Sequence, residues 1–310
     1  LNSLLRGEMS AIESYRQVTP KGAVDFLLRL SERVRGRRFV HVNSTQVGGG
    51  VAEILSRLVP LMNELGVKAG WEVIEGDPDF FATTKAFHNA LQGTEQVFSE
   101  VMLEHYLEVN RKNAERLKVG GDLVLIHDPQ PAAMIETRPA EGKWVWRCHI
   151  DLSDPQRRAW AFLRRFVVRY DAAIFSLPAF AQQLPIPQFL VYPSIDPLAE
   201  KNRRMSRKEI EKVLDALQVP DDKPILLQVS RFDRLKDPLG VIEAFMKIKP
   251  YVEARLLLVG GSANDDPEGA QHQGRRDAGS PDVEGRHGRH RAALPREGLP
   301  VGRGDARRQA

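Results

Sequence analysis

The sequence predicts an α/β protein with two Rossmann-like domains, of which the second is incomplete. Three observations carry that expectation. Apolar runs of strand length alternate with stretches of helical spacing up to residue 195, a polar break with two prolines follows, and the alternation then restarts but stops after two strands near residue 260. Strands that alternate with helices read as βαβ units, which place parallel strands in one sheet covered on both faces.

The first strand is "RRFVHVN" (37–43), where apolar and polar residues alternate. A helix follows in "VAEILSRLVPLMNELG", with Val51, Ile54, Leu55, Leu58, Val59 and Leu65 at helical spacing. Gly66 stands where a left-handed cap ends a helix, and Pro60 is expected to kink the interior. "WEVIE" reads as the second strand, and helical stretches are expected around 80–92 and 95–118. "DLVLIHD" is apolar enough for burial on both faces. "KWVWRCHID", "AAIFS" and "FLVYPS" continue the strands, with the amphipathic "DPQRRAWAFLRRFVVRY" between the first two.

"PSIDPLAEKNRRMS" breaks this rhythm, so a first domain is expected over 1–195. A partial second domain over 196–263 holds helix "RKEIEKVLDALQ", strand "KPILLQVS", helix "PLGVIEAFMKIK" and strand "ARLLLVG". Two strands fall short of the roughly 4–6 of a common sheet. From Asn264 onward there is no Lys, Ile, Phe, Trp or Tyr, but there are nine Arg and eight Gly. Such a segment cannot offset the entropy of ordering, so residues 264–310 are expected to be disordered.

With 310 residues, 42% of them apolar, the chain can bury two cores. A net charge of +4 without a basic stripe gives no reason to expect a nucleic-acid partner, and the tail's nine Arg are matched by eight acids. The single cysteine, Cys148, rules out a disulfide within the chain and a multi-thiolate zinc site, and suits a reducing cytoplasm. No apolar run approaches the roughly 18 residues that span a bilayer, and "LNSLLRGEMS" lacks the apolar core of a signal peptide. A soluble cytoplasmic protein is expected. The start at Leu1 reads as a trimmed start, a fragment or an alternative start codon. No H-E-x-x-H, Walker A or G-x-S-x-G motif occurs.

Three stretches carry chemistry. "VNSTQVGGGVAEIL" places glycines between a strand and a helix, where backbone N–H groups can approach a ligand. Counted from Gly48, the dinucleotide fingerprint finds Gly50 but meets Glu53 where its third glycine belongs. A carboxylate there repels pyrophosphate yet can accept hydrogen bonds from a hydroxylated ligand, which favours a sugar; a plain flexible turn fits the motif equally well. "LLQVSRFDRLKDP" sets Arg231 past a buried strand and Lys236 before a helix, a fork and a point charge that suit a diphosphate. A solvated loop neutralised by Asp233 and Asp237 is the competing reading. "RCHIDLS" and "LIHDPQP" end two strands with His149 and Asp151, and with His127 and Asp128. A lone histidine is more often structural than catalytic; their common placement raises the functional reading. The alternating Trp144 and Trp146 suit core filling.

At these residues the sequence resembles the retaining GT-B glycosyltransferases of the trehalose synthase type. "FVHVNST", "GGGVAEIL", "VIEG", "FHNALQG", "IHDPQP", "WRCHIDLS", "PSIDPL", "QVSRFD" and "LLLVG" fit that family in order, from about residue 37 to "DDPEG" at 265–269. Fungal-type trehalose phosphorylases are similar too, which keeps phosphate open as a co-substrate. The resemblance implies transfer of glucose from a nucleoside diphosphate glucose to glucose with retention, giving trehalose, with no metal or cofactor. It implies Arg231 and Lys236 on the donor diphosphate, His149 beside the donor glucose, Gly49 and Gly50 shaping the floor, and Glu53, Asp128 and Asp151 on the acceptor side. Catalytic roles would fall to His149, Arg231 and Lys236, without a protein nucleophile. A homodimer is left open; no nucleic acid or membrane partner is implied. The family's later E-x7-E element finds no match here, and the change of composition is what a frameshift near Gly269 and Ala270 in a G+C-rich gene would produce. A non-catalytic sugar-binding remnant is therefore the other reading.

Overall fold

In this computed structural model, which describes residues 10–230, 232 and 236–260, the chain divides into a first unit ending at Asp196 and a second beginning at Pro197. The expectations of a disordered tail and of a frameshift near residue 269 concern residues outside the described ones. The first unit is built on six parallel strands: β1 (Arg38–Asn43), β2 (Lys68–Val73), β3 (Leu123–His127), β4 (Lys143–Arg147), β5 (Ala172–Phe175) and β6 (Gln188–Leu190). They lie in the order β2-β1-β3-β4-β5-β6. The chain steps outward from β1 to β2, then crosses back to place β3 on the other side of β1. In an open parallel sheet such a reversal leaves a crevice outside the carboxyl ends of the two strands.

Two helices not assigned from the sequence, α1 (Ala11–Ser14) and α2 (Ala23–Ser31), precede the sheet. The crossovers are α3 (Gly50–Glu64) between β1 and β2, α4 (Pro78–Leu91) and α5 (Glu100–Leu117) between β2 and β3, and α6 (Arg157–Val167) between β4 and β5. Pro60 sits inside α3 without ending it, and Gly66 takes a left-handed φ of 85° just past its end, as the sequence predicts. Strand β2 runs three residues earlier than "WEVIE" and pairs six for six with β1 from Lys68 to Val73. Gly70 and Lys68 hide its start, since glycine weakens a strand signal. The helix expected from residue 95 begins instead at Glu100, where the Ser99 hydroxyl accepts the Met102 N–H at 3.2 Å.

Alternate strand residues face opposite sides of a sheet. Val40, Val42, Val124, Ile126, Trp144, Trp146, Ala173 and Phe175 meet Phe80, Phe87, Tyr106, Leu163 and Phe166 from α4, α5 and α6 in the main core. Trp144 and Trp146 are thus core residues, and burying each large side chain contributes about 1.5–3 kcal/mol. The intervening positions, His41, Asn43, His127 and Arg147, fall on the opposite face. Three of those four side chains, His41, Asn43 and His127, are buried polar groups.

In the second unit, α7 (Arg207–Ala216) opens with a capping box between Ser206 and Glu209. Strands β7 (Ile225–Val229) and β8 (Arg255–Val259) pair in parallel through α8 (Pro238–Ile248). Leu226, Leu227 and Val229 remain exposed, so among the described residues this sheet has no closed core.

Candidate functional site at the switch point

Three neighbouring strands, β1, β3 and β4, bring the candidates of the first unit to one edge of the sheet. β1 ends at Asn43 and feeds the glycine loop. Asn43 anchors that loop: its amide donates to the Thr45 carbonyl at 2.7 Å, while its own side-chain oxygen accepts the Trp71 indole N–H at 2.7 Å. Gly48 and Gly49 both take φ of 83°, and Gly49 combines this with ψ of 158°, a region open essentially to glycine alone. No atom lies within 4 Å of a Cβ built on Gly48, Gly49 or Gly50, so the loop is unobstructed. Glu53 follows in the first turn of α3, where the helix dipole favours a carboxylate.

This geometry separates two roles for the glycines. Gly49→Ala is expected to cost roughly 1–3 kcal/mol through backbone strain. Gly50→Ala, at an ordinary helical position, is expected to leave stability unchanged or slightly raised. Denaturant midpoints of the two variants check this; equal losses would contradict it.

The second strand to reach the edge is β3, which carries His127 at its end, and β4 carries Arg147 beside it in register. β4 stops there, so His149 and Asp151 lie in the loop beyond the strand rather than at its tip as the sequence suggested. The structure joins His127 to His149, with His127 Nδ1 2.9 Å from His149 Nε2. It also adds a residue that sequence reasoning missed. His41, on β1, places Nδ1 3.0 Å from His127 Nε2. The ring centroids are 5.3 Å apart in both pairs, a nitrogen separation plus a ring radius on each side, so the rings meet edge to edge. The available signal was the alternation in "FVHVN", which sets His41 on the face of Asn43.

Burial depresses all three imidazoles, with the Arg147 guanidinium adding to it: His41 falls to about 4, His149 to about 3, and His127 well below its ordinary value. For His127 the neighbouring histidines also contribute. The row is therefore neutral at pH 7. Arg147 is itself lowered by burial, opposed by the Asp128 charge.

Asp128 is the hinge between β3 and the His149 loop. It holds a left-handed φ of 64°, its Oδ1 accepts the His149 backbone N–H at 2.7 Å, and its carbonyl accepts the Trp146 indole N–H at 2.9 Å. Atoms packed round the carboxyl push its pKa up to about 7, although the residue keeps some contact with solvent and the His149 N–H and Arg147 work the other way. Asp151 turns the next residues, its Oδ1 accepting the Ser153 N–H at 2.8 Å.

Of the second-unit candidates, Lys236 is exposed; its carbonyl accepts the Gln228 amide at 2.7 Å just before α8, whose first turn Asp237 caps through the Gly240 N–H at 3.0 Å. Arg231 lies outside the described residues. Among the described residues no group of His, Cys, Asp or Glu is arranged to hold a metal ion, and no helix is long and apolar enough to cross a membrane.

Residues 41–182 match the model of the family described as trehalose synthase, N-terminal domain. A trehalose synthase of Pyrococcus horikoshii is 49% identical over 263 residues, 83% of this chain and 63% of that protein. One of Rubrobacter xylanophilus is 41% identical, covering 84% of this chain and 64% of that protein. A trehalose phosphorylase of Pleurotus pulmonarius is 25% identical over 83% of this chain and 41% of that protein. The chain thus spans just under two thirds of the length of the synthases it matches. In fold it is similar to the crystal structure of an α,α-trehalose 6-phosphate synthase from Burkholderia multivorans, with a TM-score of 0.54 at 17% identity over 78% of this chain and 68% of that one. That likeness, with the parallel sheet and its switch point, makes the architecture GT-B. The family match over residues 41–182 and the identity that extends well beyond it make the chain similar to the trehalose synthases along most of its length.

Proposed function

We propose that the chain belongs to a retaining hexosyltransferase that moves glucose from a nucleoside diphosphate glucose to glucose, giving trehalose in the cytoplasm. The observation that carries this reading is the 49% identity to a trehalose synthase along 83% of the chain. The chemistry of the sheet edge supports it, because an open glycine loop, a helix-terminal carboxylate and a neutral histidine row offer hydrogen bonds to a polyhydroxylated ligand. Glu53, Asp128 and Asp151 read the acceptor hydroxyls. Gly49 and Gly50 leave room for the donor, and His149 faces the donor glucose near its reacting carbon. Arg231 and Lys236 hold the diphosphate and offset the charge that develops on it as the glycosidic bond breaks. The departing phosphate takes the proton of the attacking hydroxyl, so bond making and bond breaking share one face of the sugar.

The test is incubation of the purified chain with glucose and ADP-, UDP- or GDP-glucose, followed by detection of trehalose. Trehalose formed from at least one donor is the expected result. Glucose binding with no donor consumed would replace this reading with that of a sugar-binding remnant. The Pleurotus match favours one further reading, a phosphorylase, which would show itself as trehalose breakdown that requires inorganic phosphate.

A further inference from the structure

The histidine row has a direction. A neutral imidazole carries one N–H, so His127, bonded at both nitrogens, must donate in one contact and accept in the other. Only two arrangements are consistent. In the inward one His149 donates from Nε2 to His127, His127 donates from Nε2 to His41, and His41 is left with its proton on its own Nε2. That atom is buried and has no hydrogen-bond partner among the described residues. In the outward one His41 donates from Nδ1 to His127, His127 donates from Nδ1 to His149, and the atom left over at His41 is a bare lone pair.

An orphaned buried N–H is rarer and costs more than an unused lone pair, so the outward arrangement wins. His149 then receives a hydrogen bond at Nε2 and must keep its own proton on Nδ1. Which nitrogen of a histidine is protonated is set by the bond the other one makes. The backbone of the same residue is fixed separately by Asp128 Oδ1.

We propose that His41 and His127 are positioning residues that lock His149 as the Nδ1–H tautomer, a neutral hydrogen-bond donor at the carboxyl edge of the sheet and not a base. With Nε2 occupied and Nδ1 already protonated, His149 has no free lone pair with which to take a proton from an attacking hydroxyl. The ligand atom it recognises is an acceptor oxygen, of a sugar hydroxyl or a phosphate. This assignment of a ligand-facing role to His149 rests on the proposed function, but the tautomer does not.

The experiment is a long-range proton–nitrogen correlation spectrum of the full chain labelled with nitrogen-15 in its eight histidines, recorded at pH 7.5 without sugar. His41→Leu, His127→Leu and His149→Leu assign the three rings. His149, His127 and His41 are all expected with Nδ1 protonated and Nε2 bare. A His149 ring protonated at Nε2, or at both nitrogens, overturns the proposal. In His127→Leu the His149 signal should lose its single tautomer and show Nε2–H. In His127→Asn, whose amide N–H2 sits near the lost Nδ1, the Nδ1–H form should return. Should His127→Leu leave His149 wholly as Nδ1–H, the row does not hold it and the proposal fails. If either variant does not fold, the unsubstituted chain still decides the matter. Because no sugar is present, a chain that shows the stated tautomers yet makes no trehalose counts against the functional reading alone.

Discussion

Lowering the pH from 7 to 4.5 is expected to weaken the first unit by several kcal/mol, in a window set by the histidine row. Unfolded, each imidazole binds a proton near 6.5; folded, His41 resists until about 4 and His149 until about 3, with His127 lower than its ordinary value as well. The unfolded chain therefore binds more protons throughout this range, and stability must fall as pH falls. The contribution is complete above pH 6.5 and is lost as the pH drops toward the folded values. For His41 alone, a drop from 6.5 to about 4 is worth on the order of 3 kcal/mol. Asp128 works in the other direction. Its folded pKa of about 7 stands above the unfolded 3.8, so its protonated form is favoured by folding and its share of stability returns as pH falls from 7 to 3.8. One carboxyl set against three imidazoles in the proton balance does not reverse the sign. Urea midpoints followed between pH 7.5 and 4.5 measure the effect, and a midpoint that stays level would show that the row is not held neutral by its surroundings.

Asp128→Ala is expected to cost about 2–5 kcal/mol, from two separate losses. Alanine at a φ of 64° meets the left-handed penalty of roughly 1–2 kcal/mol that Asp and Asn relieve by local hydrogen bonding. Removal of the carboxyl also deprives the His149 N–H of its acceptor, worth about 1–3 kcal/mol where water cannot replace it. Asp128→Asn keeps a side-chain oxygen for that N–H and tolerates the left-handed backbone, so most of the loss should be absent. The Asn variant also removes the group that titrates near pH 7. Denaturant midpoints of the two variants at pH 7 give the comparison. Equal destabilisation would mean that the carboxylate charge, rather than the hinge geometry, holds the loop.

The strands of the first sheet were legible because their patterns are local. "DLVLIHD" is continuous and apolar since β3 is interior, and "AAIFS" for the same reason. α3 was legible through its spacing and through Gly66, whose left-handed φ only glycine meets without strain. β2 was displaced because Gly70 and Lys68 carry no strand preference, and its bounds come from pairing with β1. The glycine loop, Glu53, His127, Asp128 and His149 could be named because each lies at the end of a strand or within a few residues of the element that follows it. His41 could not. A polar residue in an alternating strand reads as facing solvent, and its partner lies 86 residues away on a strand that becomes its neighbour only through the order β1-β3. The left-handed Asp128 was equally hidden, since nothing in "LIHDPQP" announces that the chain bends back to hold His149.

The strand order places β1, β3 and β4 inside the sheet, while β2 and the three-residue, exposed β6 form its margins. Thermal fraying begins at margins, where a strand has one neighbour to lose rather than two. A molecule whose rim breathes at β6 thus keeps its row of imidazoles in place: the three histidines ride on the last part of the framework to open.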